Sequence, residues 1–516
     1  IFMKGSNWIP VNILPELMDN LLHAARNVHM NMLRVWGGGI YESDYFYRKC
    51  DELGILIWQD FMFACAMYPA DNDFLDSVRA EVKHNVRRLQ HHPSIALWVG
   101  NNENEAALSG DWYTTQPRFP KYHKEYMLLY VETIGSIVQD IDPTRRYLVS
   151  SPTNGLQSVI EGHVALNPYD SHYGDSHSFN YIEDKWNQSV YSKTRFASEY
   201  GFQSLPSLTT MKTATNTTFD FSVTSDYSKH RQHSPSGYET IAVLMDRHLN
   251  LYKRDPNHFE LFIFYSQCSQ AMALKAETEF YRQSQEDWYT MGALYWQLND
   301  VWQAPSWSSI EYGGKWKMLH YFAKTFFAPV LVSPRRLATG EVEVYLINDR
   351  FKPITGEIVV KYYTYHSLTT VKTESYRANV GPLMAKKQTV ISIDPNEEID
   401  IMIFTLIAPG AVSPRNFQLL KSPSVVTAVD KPMQSEMLSH WTLFRVTIQV
   451  DAPAMFLWLQ STYEGHFEDN GLMVTTETTE VNFITKKMIS LMDLKKSITF
   501  QFYDHTPTRR TPDWWF

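Results

Sequence analysis

Residues 95–108 read IALWVGNNENEAAL, an apolar run of five that stops at a glycine and is followed by two acids, Glu103 and Glu105, each after an asparagine. A run this short, bounded by turn residues, predicts a buried strand rather than a helix. Side chains two apart point the same way along an extended chain, so periodicity alone does not choose between the two acids. The unit recurs. Candidate strands lie at 2–4 (FMK), 32–36 (MLRVW), 55–59 (ILIWQ), 95–99 (IALWV), 147–151 (YLVSS), 169–173 (YDSHY), 195–199 (RFASE) and 293–297 (ALYWQ), eight in all. Between them run patterns such as ELMDNLLHAARNVH and DFLDSVRAEVKHNVRRLQHH, whose apolar residues recur at three and four positions as on a helix. Eight strand-helix units predict a (β/α)8 TIM barrel over 1–330, with catalytic groups at the C-terminal ends of strands. The alternative, a doubly wound open sheet, lacks a glycine-rich phosphate turn after the first strand.

Beyond residue 330 the pattern changes to alternation. EVEVYLIND, GEIVVKYYTYHS and KQTVISID, and later HWTLFRVTIQV, AMFLWLQS, EVNFITK and SITFQFYD, are separated by turn residues. These predict two β-sandwich, immunoglobulin-like domains, 331–420 and 421–516, so the chain reads as multidomain α/β plus all-β. The terminal DWWF is expected to pack on the last sandwich as an aromatic tail.

Composition bounds the function classes. The net charge of -9 is spread along the chain and no Lys/Arg-rich segment resembles a phosphate-binding surface, which sets nucleic acid aside. No apolar run reaches about 18 residues, so no membrane insertion is expected. The 15 Trp and 30 Tyr suit stacking on sugar rings and equally suit large aromatic cores. Cys50, Cys65 and Cys268 lack metal-ligand spacing and read as buried thiols, or as one incidental disulfide plus a free cysteine. Asn187-Gln188-Ser189 and Asn216-Thr217-Thr218 are N-glycosylation sequons. The chain opens on Ile1 and enters an apolar strand without a lead-in or signal peptide, which reads as a cut chain.

In a barrel, GNNENE lies beyond the fourth strand and SEYG (198–201) at the end of the seventh. Glu103 and Glu199 are then candidates for a facing pair, and two facing carboxylates are what glycosidic bond cleavage needs: one protonates the departing oxygen, the other attacks or activates water. Salt-bridged or solvated loop acids are the plainer reading of the same residues.

KGSNWIP, LRVWGGGIYE, GILIWQDFMFACAMYP, HHPSIALWVGNNENE, RFASEYG and ALYWQLNDVWQAPSWSSIEYGGKWK, in this order over about the first 320 residues, resemble the β-mannosidases of glycoside hydrolase family 2. The resemblance implies two N-terminal β domains that this chain would lack, a catalytic barrel, further sandwiches, and retaining hydrolysis of terminal β-mannose by a monomer without a cofactor. It also separates the two acids. The family's acid/base follows an Asn and lies five residues after a strand Trp, which from Trp98 is Glu103, and Glu105 becomes a supporting acid at a helix N-terminus, where the dipole favours negative charge.

By the same resemblance Glu199 is the nucleophile, Arg34 holds it ionised, and Asn102 bonds the sugar 2-OH. Glu199's charge should keep Glu103 protonated. Trp36, in VWGGG, offers an indole face to the sugar, followed by glycines that let the chain pass close to a ligand. Tyr181, Trp296 and Trp302 are expected as pocket walls, with core packing as the alternative, and Asp60 and Asn7 as partners of sugar hydroxyls. His172 and His177, in SHYGDSH, read as polar pocket residues, with no metal expected.

The implied substrate is a mannose-terminated oligosaccharide from N-glycan breakdown and the implied compartment the lysosome. The rival within the class is an exo-β-glucosaminidase, which would need an added pocket acid for the substrate ammonium. The rival outside it is a non-catalytic carbohydrate-binding chain.

Overall fold

The computed structural model describes residues 1–10, 15–251, 258–423, 434–440, 443–485 and 487–503. DWWF at 513–516 lies outside the described residues. The chain divides into two compact units. Ile1–Asn180, Tyr191–Phe202 and Ser284–Trp302 form the first; Tyr181–Val190, Gln203–Gln283 and Gln303–Phe516 form the second.

The first unit is built on eight strands: β1 (Met3–Trp8), β2 (Met32–Val35), β3 (Leu56–Asp60), β4 (Ile95–Val99), β5 (Arg146–Leu148), β6 (Ser176–Ser178), β7 (Ala197–Tyr200) and β8 (Gly292–Tyr295). Their order is β5-β4-β3-β2-β1-β8-β7-β6, with parallel ladders throughout. Because β1 pairs with both β2 and β8, the sheet curls into the expected TIM barrel. β5 and β6 share no backbone ladder. The seam between them is spanned by a single bridge, Thr153 to Asp175, in which the Thr153 amide also donates to Asp175 Oδ1 at 3.0 Å. Met32, Trp58, Val99 and Leu294 form a buried cluster contributed by β2, β3, β4 and β8, which accounts for the near-continuous apolar runs of these strands.

Local chemistry sets the helices. α1 (Pro15–Asn27) and α2 (Asp44–Leu53) follow β1 and β2, and α2 stops at Gly54, whose φ of 71° suits glycine. α3 (Asn72–Leu89) starts where the Asp71 side chain accepts from the Phe74 amide at 3.0 Å, and it buries Leu75, Val78, Val82, Val86 and Leu89.

Seven of the expected strands overlap the observed ones, and the sixth does not. YDSHY (169–173) is a turn, and β6 is Ser176–Ser178. Asp170 Oδ1 accepts from the amide of His172, and Asn167 Oδ1 from that of Tyr169, a local pairing that competes with a ladder. The alternation of aromatics here records loop residues, not a pleat.

In the second unit β9 (Val330–Arg336), β10 (Val342–Asn348) and β13 (Met384–Ile391) form one sheet; β11 (Ile354–Tyr363), β12 (Lys372–Val380), β14 (Ile401–Ile407) and β15 (Asn416–Leu419) form another. Val332, Val344, Leu346, Ile358, Val360 and Phe404 are among the residues that close a core between them. A second pair of sheets joins β16 (Gln434–His440), β17 (Leu443–Gln449), β21 (Thr478–Ile484) and β19 (His466–Phe467), and β20 (Leu472–Val474), β18 (Ala454–Gln460) and β22 (Thr499–Gln501). Its core includes Phe444, Val446, Leu457, Phe467 and Phe483. Both sandwiches follow the alternation read from sequence. Cys50, Cys65 and Cys268 are free thiols, and no helix among the described residues is long and apolar enough to cross a membrane.

Candidate active site

The barrel register puts Asn7, Arg34 and Trp58 side by side on β1, β2 and β3. Arg34 is fully buried and its guanidinium is saturated: Nη1 donates to Glu199 Oε2 at 2.6 Å and Asn7 Oδ1 at 2.9 Å, and Nη2 donates to Asn102 Oδ1 at 2.6 Å and lies 2.9 Å from Asp60 Oδ2. A planar fork with five donors serves four acceptors at once, which a point charge could not.

Beyond β4 the chain continues extended, with Asn102 bridging Ala64 on one side and Ser151 on the other. Glu103 then turns into the left-handed region at φ 63°, held there by its amide donating to Ser151 O at 2.7 Å. A non-glycine residue fixed in this region costs on the order of 1–3 kcal/mol, and such residues cluster at sites where side-chain aim matters. The turn aims Glu103 toward Glu199. Glu105, two residues on in α4 (Asn104–Ser109), points elsewhere: its Oε1 accepts from Ser158 Oγ at 2.6 Å and from the Ala165 amide at 3.0 Å.

His177, on β6, joins the pair. Its Nδ1 lies 2.7 Å from Glu103 Oε1 and 3.6 Å from Glu199 Oε2. Among the described residues, Glu103, His177 and Glu199 are a group whose ligand atoms all lie within 4.8 Å of one another. Within this group Glu103 pairs with His177, and Glu199 pairs with the Arg34 guanidinium. Cys65 completes the surroundings of Glu103: its thiol donates to Glu103 Oε2 at 3.4 Å and accepts from Asn102 Nδ2 at 3.3 Å. Burial and the Glu103 charge push the Cys65 thiol up to about 12, so it stays a neutral donor.

The proton affinities of the two acids run opposite to the sequence expectation. Burial pushes Glu199 above the ordinary carboxylate range, against the pull of His177 and Arg34. Glu103 is held below it, because the His177 and Cys65 hydrogen bonds and the His177 charge outweigh its own burial. His177 is raised, since Glu199 and Glu103 outweigh its burial. A histidine that sequence leaves as a polar pocket residue therefore lowers the proton affinity of Glu103. Glu105 is also reversed: burial raises it to about 7, although Ser158 and Ala165 oppose this. A helix dipole contributes about 0.3–1 kcal/mol, less than the roughly 3 kcal/mol of that shift, so desolvation wins.

Two of the expected sugar partners have other work. Asn7 Nδ2 donates to the carbonyls of Ser198, Leu294 and Tyr295 at 3.0–3.2 Å, and Asp60 accepts from Arg34, Trp58 Nε1 and the Gly37 amide. Both tie strands together through these bonds. Among the glycines after Trp36, a Cβ on Gly38 would lie 1.9 Å from the Trp36 ring, so this glycine makes room for the indole. Trp36 itself is half-buried and packs edge-on against Trp296 at 5.0 Å, with its Nε1 unpartnered. Trp302 is half-buried in the same unit. Tyr181 belongs to the second unit, where its hydroxyl accepts from Trp307 Nε1 at 2.8 Å. His172 is an exposed turn residue paired with Asp170. Tyr169, absent from the sequence candidates, has its hydroxyl raised by burial and by the charges of Glu103 and Glu199; only the aromatic spacing near SHYGDSH hinted at it.

Residues 43–230 match the TIM barrel domain of glycosyl hydrolases family 2, and residues 420–505 match an Ig-fold domain of the mannosidase type. Residues 43–230 belong to the family 2 barrel. Relatives align along nearly the whole of this chain. It is 42% identical to a beta-mannosidase of Capra hircus over 96% of this chain and 59% of that protein, and 32% identical to a probable beta-mannosidase of Caenorhabditis elegans over 96% and 59%. Among solved structures, a beta-D-mannosidase of Dictyoglomus thermophilum superposes with a TM-score of 0.85 at 27% identity, over 98% of this chain and 60% of that one. This chain thus spans about three fifths of the length of these relatives.

Proposed function

We propose that this chain carries the catalytic centre of an exo-acting β-mannosidase that releases terminal β-D-mannose with retention, Glu103 serving as acid/base and Glu199 as nucleophile. The observation that carries the reading is the approach of the two carboxyl groups, with oxygens within 4.8 Å of each other. Retaining pairs stand about 5–5.5 Å apart, whereas inverting pairs need roughly 6.5–9.5 Å to admit water. Arg34, donating to Glu199 at 2.6 Å, favours the ionised nucleophile that the first displacement requires. Glu103 protonates the leaving oxygen, and after Glu199 is glycosylated and its charge is gone, Glu103 takes a proton from water. Asn102, held by Arg34, is assigned the sugar 2-OH, and Trp36, Trp296 and Trp302 the apolar walls.

The proposal extends to mannose-terminated oligosaccharides of glycoprotein breakdown as substrate, a lysosomal address reached by the secretory route, a monomer, and glycans on Asn187 and Asn216, both of which are exposed; the 42% identity to the beta-mannosidase of Capra hircus supports the β-mannoside specificity alone. Trapping with 2-deoxy-2-fluoro-β-mannosyl fluoride followed by peptide mapping tests the centre. Label is expected on Glu199; label on any other residue, or turnover with inverted configuration, refutes the assignment.

A further inference from the structure

The partners of His177 form a chain with one defined direction. Asp175 accepts three hydrogen bonds, from Ser151 Oγ at 2.7 Å, Ser198 Oγ at 2.5 Å and the Thr153 amide at 3.0 Å. The Ser151 hydroxyl has one proton, and it goes to Asp175. Its oxygen, 3.0 Å from His177 Nε2, can then only accept. This fixes Nε2 as protonated and leaves Nδ1, 2.7 Å from Glu103 Oε1, as the nitrogen that gains or loses a proton. His177 is buried, so the proton on that bond is exchanged with Glu103 rather than with bulk water.

Building on the proposed function, we infer that His177 stores the catalytic proton of Glu103: it acts through Glu103, without touching the reacting atoms, and the Asp175–Ser151 pair aims it. At rest two cations, Arg34 and the His177 imidazolium, face two carboxylates, Glu103 and Glu199. During glycosylation the Nδ1 proton moves to Glu103 and Glu103 delivers a proton to the leaving oxygen, while Glu199 becomes a neutral ester. His177 ends neutral, so the site loses one positive and one negative charge together. In deglycosylation water attacks the anomeric carbon and its proton passes to Glu103 and on to Nδ1, while Glu199 leaves as carboxylate. Both half-reactions conserve the net charge of a buried site, which avoids the cost of leaving an unpaired charge in a low dielectric.

The groups facing His177 support this arrangement from each neighbouring element: Glu103 after β4, Glu199 on β7, Arg34 on β2, and Asp175 ahead of β6 through Ser151. The raised affinity of His177 for its proton agrees with the geometry.

The test is the pH dependence of kcat/KM for an unactivated alkyl β-mannoside, with the full chain. If the wild type turns over no β-mannoside, the proposed function fails and the storage role with it. If it turns over, the basic limb should titrate the imidazolium. His177→Gln should then move that limb down by about one pH unit or more, toward a carboxyl titration, and the loss should be smaller for a 2,4-dinitrophenyl β-mannoside, whose leaving group needs no proton. A basic limb at the same pH in His177→Gln and wild type overturns the inference while leaving the function standing. Ser151→Ala keeps the imidazole and strips its Nε2 partner, so it provides the same readout if the glutamine variant does not fold: a smaller downward shift is expected, and an unmoved limb overturns the storage role.

Discussion

Replacing Glu105 by glutamine should flatten the pH dependence of stability that this residue imposes on the barrel. The carboxyl group is fully buried, both of its hydrogen bonds fall on Oε1, and Oε2 is buried without a partner. Burial raises it from the ordinary 4.5 to about 7. Because the folded acid holds its proton more tightly than the unfolded one, its contribution is fully present below pH 4.5 and is lost as pH rises through 7. The shift spans about 2.5 pH units, and at 1.36 kcal/mol per unit the loss is about 3 kcal/mol. Glutamine keeps an oxygen for Ser158 and Ala165 and cannot ionise. Urea unfolding followed by tryptophan fluorescence at several values between pH 4.5 and 7.5, for both proteins, isolates the effect, since all other titrating groups cancel in the difference. The wild type should lose about 3 kcal/mol relative to Glu105→Gln across that window. A difference that stays constant with pH would refute the assignment of the shift to Glu105.

Glu103→Gln should reduce kcat/KM for poor leaving groups by about 10²–10⁴-fold and dinitrophenyl mannosides far less, whereas Glu105→Gln should stay within about tenfold of wild type; steady-state kinetics on both substrates decides, and the reverse order would mean that the wrong acid has been chosen. Arg34→Lys removes the fork that serves Glu199, Asn102, Asn7 and Asp60, and should cost about 3–5 kcal/mol together with most of the activity; an unchanged thermal midpoint would contradict it. In the second unit, fully buried Arg282 donates to the carbonyls of Phe326 and Ala328 and to Asp349. Arg282→Met should destabilise by a similar amount, read by thermal unfolding.

The fold was legible because strand runs and helical periods repeat eight times, and repetition averages out local exceptions. It failed where side chains compete with the backbone: Asp170 and Asn167 turn YDSHY into a loop. At the site, Glu103 and Glu199 stand out as polar residues at strand ends, and the family resemblance rather than spacing picks Glu103 over Glu105. Asn7 and Asp60 carry the same signal, and only the coordinates show their groups committed to Arg34 and the strands. The roles of His177, Cys65 and Tyr169 could not be read from spacing, since each reaches Glu103 or Glu199 from a different loop or strand.

The seam between β5 and β6 carries a further consequence. Seven joints of the barrel are backbone ladders, which do not titrate. The eighth is held largely by Ser151, Thr153, Asp175 and His177, and one of these changes charge in every catalytic cycle under the storage role. The barrel therefore has one staves' gap whose latch is chemical rather than architectural. Under the storage role, the donor that His177 presents to Ser151 across this seam alternates between imidazolium and neutral imidazole with each turnover.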